Sequence, residues 1–229
     1  KAKILAEKTQ VRDPFIRRTM EQFDKLFPLG DPPDYEPTVE QSIAGIAARQ
    51  GREPAEVAYD KLLERDGREL LYYPILFYSD RNCDAFSAML QSESTVLSLS
   101  DGGAHCGVIC DASSPTYMLT HWVRDRSRGP RLSLEQAVRL QTTRTAKMYG
   151  LNDRGRLAVG FKGDVNVIDF DNLRLKPPVM AYDLPAQGRR LLQYAQGYKA
   201  TIASGVVTWR DGEATGALPG KLIRGPQAA

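Results

Sequence analysis

The stretch "TVLSLSDGGAHCGVICD", from Thr95 to Asp111, concentrates the residues of this chain that could do chemistry. An apolar, β-prone run stops at Ser100-Asp101-Gly102-Gly103, with His105, Cys106 and Cys110 close behind. A carboxylate at the C-terminal end of a strand leaving an α/β core stands where barrel enzymes place their catalytic groups. Two glycines beside it permit a tight turn or a close approach to a ligand. The same residues suit an Asx turn, in which Asp101 only accepts from the following backbone. On pattern alone both readings stay open.

Asp101, His105, Cys106 and Cys110 crowd together, but their spacing matches none of the closed zinc patterns, which use two well-separated ligand pairs. The whole chain holds two histidines, whereas a catalytic zinc takes three protein ligands, commonly including several His. This chain alone is therefore not expected to build such a site. His121, inside "TYMLTHWVRD", reads as packing or surface. No G-x-S-x-G, G-x-G-x-x-G or G-x-x-x-x-G-K-[ST] occurs, so serine nucleophiles and phosphate cradles lack their signatures.

The elements that must position these residues follow from periodicity and caps. A helix is expected from Asp13 to Leu26, with Asp13 as N-cap and Pro14 in the first turn. A helical pair follows, the first capped by Thr38 with Gln41 three residues on, the second opened by Pro54 and closed before Gly67. Leu70 to Tyr78 has strand length, though Pro74 suggests an edge or a bend. "DAFSAMLQS" makes a short helix and "TVLSLS" a buried strand. Helices are expected over Ser114 to Arg126 and Leu134 to Tyr149, the latter capped by Ser133 and stopped by Gly150. Beyond it "GDVNVIDFD" and "YKATIASGVVTWRDGE" read as strands, turning at Gly205 and again at Asp211-Gly212.

Composition narrows the classes of function. The chain has 229 residues, 42% hydrophobic and 26% charged, ordinary for a folded protein of one large or two small domains. Acids and bases interleave to a net charge of +3, so no basic stripe announces a nucleic-acid partner. No apolar run approaches the roughly 20 residues of a membrane helix and the start lacks a signal peptide's apolar region, so a cytoplasmic protein is expected. Three cysteines without secretory context read as free thiols. The chain opens at Lys1 in a helical-looking segment and reads as a piece of something longer.

Four segments together resemble the amidohydrolase superfamily, in its N-acyl-D-amino-acid deacylase (D-aminoacylase-like) branch. They are "LSLSDGGAH" (Leu97 to His105), "SLEQAVRLQTTRTAKMYGLNDRGRLAVGFKGDVNVIDFD" (Ser133 to Asp171), "YDLPAQGRRLL" (Tyr182 to Leu192) and "ATIASGVVTWRDGEATGALPGKLIRG" (Ala200 to Gly225). The resemblance implies an α/β fold: the C-terminal part of a TIM-like (β/α)8 barrel over 1–150, then a small β-sandwich segment and tail over 151–229. It implies that Asp101 ends the final barrel strand as general base, taking a proton from zinc-bound water and passing it to the leaving amine, and that it can touch the metal. Ser100, Gly102, Gly103 and His105 are then expected on the substrate side or directly behind the reacting groups, with His105 orienting rather than binding zinc. Asp111, Ser113, Ser114 and Tyr117 are loop candidates better read as caps or surface groups.

The family's remaining metal ligands have no counterpart in this chain. The resemblance therefore implies a zinc-dependent hydrolase of linear N-acyl amides, most naturally an N-acyl-D-amino acid, of which this chain is the C-terminal portion, inactive and without zinc by itself. Expected partners are a small N-acyl amino acid and further copies of the protein, with neither nucleic acid nor membrane. Two other readings are carried: a cyclic-amide hydrolase of the dihydroorotase or hydantoinase kind, and a non-catalytic relative serving as an interaction or oligomerisation module.

Overall fold

The computed structural model describes residues 1–7, 9–76, 78–98 and 105–228, in two compact units, Lys1–Ala88 and Met89–Ala229. In the first unit, α1 (Ala2–Ala6) precedes α2 (Pro14–Glu21), whose first turn is closed by the Asp13 carboxylate accepting from the Phe15 and Ile16 amides at 2.9 and 3.0 Å. The helix stops at Glu21 rather than running on to Leu26, because Phe23 and Leu26 pack against the core instead of continuing the helical face. After β1 (Phe27–Pro28), Thr38 and Gln41 form the expected capping box, but on a three-residue 3₁₀ turn. The α-helix itself, α3 (Ile43–Gln50), starts from a different cap, Ser42, whose hydroxyl accepts from the Gly45 amide at 3.0 Å. Helix α4 (Pro54–Gly67) packs on it, and Ile43, Ala47, Val57 and Ala58 make the apolar core between them.

The strand expected over Leu70 to Tyr78 contracts to β2 (Leu71–Tyr72), paired antiparallel with β1. Pro74 has no N–H to extend the ladder. Helix α5 (Asp84–Gln91) crosses from the first unit into the second. Thr95 to Ser98 form no strand, and the rest of "TVLSLS" lies outside the described residues. A strand exists only through a partner's hydrogen bonds, and nothing among the described residues pairs with this segment.

The second unit holds the other two expected helices, each with a π-helical segment. Helix α6 (Ser114–Leu119) continues as a π turn over Thr120–Asp125, and α7 (Leu134–Arg139) continues as a π turn over Leu140–Arg144 into α8 (Thr145–Met148). Ser133 caps α7 in a capping box with Gln136. The core is built on Trp122, 1% exposed, with Met118, Leu119, Leu132, Ala137 and Leu140. Arg126 is as deeply buried; its guanidinium lies 4.7 Å from the Trp122 ring and donates to the Pro130 carbonyl at 2.9 Å.

Strands replace helices after Met148. The sequence supplies β3 (Val165–Ile168), β4 (Arg174–Leu175), β5 (Val179–Leu184), β6 (Gly188–Leu192), β7 (Ala195–Gln196), β8 (Tyr198–Ala203), β9 (Val206–Arg210) and β10 (Glu213–Ala214). One antiparallel sheet runs in the order β10-β9-β8-β3, and β4 with β7 and β5 with β6 form separate antiparallel pairs. Ser204-Gly205 and Asp211-Gly212 turn at the expected places, each with two positive φ angles (51° and 80°, 49° and 89°). That is the I′ geometry whose twist matches antiparallel strands. Arg124 ties the π turn to the strands, donating to the Leu173 carbonyl at 2.7 Å, and the Thr116 hydroxyl meets the Tyr198 hydroxyl at 2.8 Å. The fold is mixed α/β, and among the described residues neither a closed barrel nor a two-sheet sandwich is formed.

Candidate functional site

Ser100, Asp101, Gly102 and Gly103 lie outside the described residues; His105 opens the described part of their loop. His105 is exposed with φ 52°, a left-handed conformation that histidine tolerates better than most side chains. Its carbonyl accepts from the Val108 and Ile109 amides at 2.8 and 3.0 Å, so the chain folds back on itself over Cys106 and Gly107.

This turn is seated on β6. The Leu191 amide donates to the Cys106 carbonyl at 2.7 Å. A side chain at Gly107 would meet Arg189, whose Cγ and Nε lie 3.7 Å from the position of a Cβ there. Further along, burial first and then the Asp111 carboxylate push the Cys110 thiol above its usual range, while a backbone hydrogen bond from Gln193 pulls the other way. The loop thus touches the strand near Arg189, Leu191 and Gln193. In the sequence these residues belong to the segment "YDLPAQGRRLL" and its continuation, and no local motif marks them as neighbours of the loop.

The β5–β6 hairpin carries its own charge pair. Arg190 donates from Nε and Nη2 to the two Asp183 carboxylate oxygens at 2.8 and 2.7 Å. This bond holds the Asp183 carboxyl below its ordinary range and raises Arg190, to which Cys106 and Tyr194 also contribute. Two-point guanidinium–carboxylate pairs fix orientation as well as charge.

The other loop candidates are structural. The Ser113 hydroxyl donates to the Cys110 carbonyl at 3.3 Å, the Asp111 carbonyl accepts from the Ser114 amide at 2.9 Å, and Tyr117 stacks on His121 with ring centroids 4.6 Å apart. Among the described residues no group of three or more His, Cys, Asp or Glu side chains could hold a metal ion. These residues do not fit a metal centre. No described helix is long and apolar enough to cross a membrane.

A partly buried thiol with a raised pKa makes a checkable expectation, since the thiolate is the reactive form. Cys110 in the folded chain should be alkylated by iodoacetamide at pH 8 several-fold more slowly than in the unfolded chain. Equal rates, followed by peptide mass spectrometry, would contradict the burial that raises it.

Comparison with known proteins shows the family. The model of the amidohydrolase family matches residues 2–214. The chain belongs to the amidohydrolase family. A solved D-aminoacylase, whose crystal structure defines a novel subset of amidohydrolases, is similar to this amidohydrolase at 23% sequence identity, over 77% of this chain and 33% of that one, with a TM-score of 0.42. The chain spans about a third of that protein's length. No curated protein matches it.

Proposed function

We propose that this amidohydrolase chain is the C-terminal portion of a metal-dependent enzyme that hydrolyses a linear N-acyl amide, converting an N-acyl-D-amino acid to a D-amino acid and a carboxylate. The observation that carries the reading is the family match over residues 2–214, taken with Asp-Gly-Gly at 101–103 and a histidine two residues beyond it. In the intact protein, residues 1–150 would complete a (β/α)8 barrel and residues 151–229 a small β-sandwich. Asp101 would take a proton from the attacking water as its oxygen bonds the acyl carbon, and return that proton to the nitrogen as the C–N bond breaks. Ser100, Gly102 and Gly103 would shape the turn around it, and His105 would orient the substrate. Zinc is the proposed metal, with its ligands coming from outside the described residues. We place the enzyme in the cytoplasm, as a homo-oligomer.

The test is hydrolysis of N-acetyl-D- against N-acetyl-L-amino acids by the longer gene product, with metal content determined on the same sample. D-selective release of free amino acid with bound zinc is the expected result. A metal-loaded protein that cleaves neither enantiomer but opens a cyclic amide would replace this reading by the ring hydrolase. A protein without metal or turnover would leave the non-catalytic relative.

A further inference from the structure

The π turn over Leu140–Arg144 brings together two arginines that a regular helix would separate. On an α-helix the neighbours of a residue stand three and four places away, so Arg139 and Arg144, five apart, would face different sides. A turn whose hydrogen bonds span five residues carries such a pair round to the same side, and π segments recur at functional sites. Here Nη2 of Arg139 and Nη2 of Arg144 each lie 3.8 Å from the same oxygen, Oε2 of Glu93. Beside them, between the end of α5 and α7 with its π turn, opens a cavity of about 60 Å³. Leu90, Leu132 and Leu140, each 5% exposed, give it an apolar wall.

We propose that this cavity binds a small carboxylate with a short apolar tail, such as propionate, in place of the Glu93 side chain. Glu93 marks where a carboxylate sits but is weakly held: its side chain is 80% exposed, and 3.8 Å from each nitrogen is charge contact rather than hydrogen bonding. Two guanidiniums against one carboxylate leave one positive charge over. The Arg144 side chain is only 13% exposed, and its Nη2 donates to the Ser92 carbonyl at 2.8 Å, so it is positioned before a ligand arrives. Gln136 also lines the cavity; its carboxamide oxygen accepts from the Ser133 amide at 2.9 Å, which leaves N–H as what that group offers an anion. The leucines take the tail. One water needs roughly 15 Å³, so the volume limits the ligand to a few heavy atoms. None of these residues has a part in the proposed hydrolysis, and the site stands whether or not that reading holds.

The experiment titrates the full-length protein with propionate and with formate, followed by saturation-transfer NMR. Propionate should bind in the millimolar range that so few atoms allow, and several-fold more tightly than formate, because its ethyl group covers the leucines. Arg139→Met should weaken propionate about tenfold through loss of a charged donor. Glu93→Gln should strengthen it about threefold, since the competing carboxylate is gone. Both side chains are exposed, Arg139 at 65% and Glu93 at 80%, so the melting temperature should stay where it was. A carboxylate held at the catalytic centre would be indifferent to both substitutions, so equal binding in the three proteins overturns the proposal. Formate that binds as tightly as propionate overturns it as well, leaving a patch that attracts any anion, and so does absence of saturation transfer in the unaltered protein.

Discussion

Asp101→Asn should lower kcat of the intact enzyme by about a thousandfold, within the range that a positioned proton-transfer group contributes, and leave the unfolding temperature where it was. The substitution keeps the shape of the side chain and its ability to accept from the backbone, so an Asx turn survives it. What it removes is the capacity to take a proton. The two readings of Asp101 left open by the sequence therefore separate cleanly. Loss of turnover with an unaltered melting curve assigns the base. Unaltered turnover leaves Asp101 as a turn residue and removes the main support for the proposed chemistry. The measurement needs steady-state rates and a thermal melt on the same preparation.

Gly197→Ala is expected to destabilise the second unit by about 3 kcal/mol, the sum of a conformational and a steric cost. Gly197 has φ 109°, where an L side chain is strained. A Cβ there would lie 2.7 Å from the Leu173 Cα, 3.0 Å from the Leu173 amide nitrogen and 3.1 Å from the Asp169 carbonyl oxygen. All three are backbone atoms and none can swing aside. Leu173 is fully buried, and the Gly197 carbonyl accepts from the Asp169 amide at 2.8 Å, so relief would cost either core packing or that hydrogen bond. The melting temperature should fall by about 6–12 °C. Gly212→Ala is the control: φ is also positive, at 89°, but nothing lies within 4 Å of the added carbon. Its loss should be about 1 kcal/mol, the conformational part alone. Equal losses would show that the contact with Leu173 contributes nothing.

Local chemistry made much of the fold legible. Asp13 and Ser133 cap because a side-chain oxygen close to the backbone reaches the first free amides, whatever the tertiary context. The turns at Gly205 and Gly212 follow from two residues that tolerate positive φ between alternating strands. What depended on distant partners was not legible. "TVLSLS" has the composition of a strand, but composition supplies no neighbour to pair with. The π turns at Thr120–Asp125 and Leu140–Arg144 each shift the hydrogen-bond ladder by one residue, a change that apolar spacing over two turns does not reveal. The site shows the same division. Asp101 and His105 stand out through a contiguous motif, whereas the contact of Arg189 with Gly107 arises only because the chain returns to this loop far along its length.

That return has a kinetic side. Strands β8, β9 and β10 close on one another through two-residue turns and can form within microseconds, as isolated hairpins do. The hydrogen bond between Leu191 and Cys106 closes a much longer stretch of chain, whose ordering must come first. The loop beside the proposed catalytic carboxylate is then assembled late in folding. Joined to β6 through the Leu191 amide, it is also placed to detach by local opening while the β-meander stays closed, and amide hydrogen exchange at Leu191 should run ahead of exchange at Thr201 and Ile202.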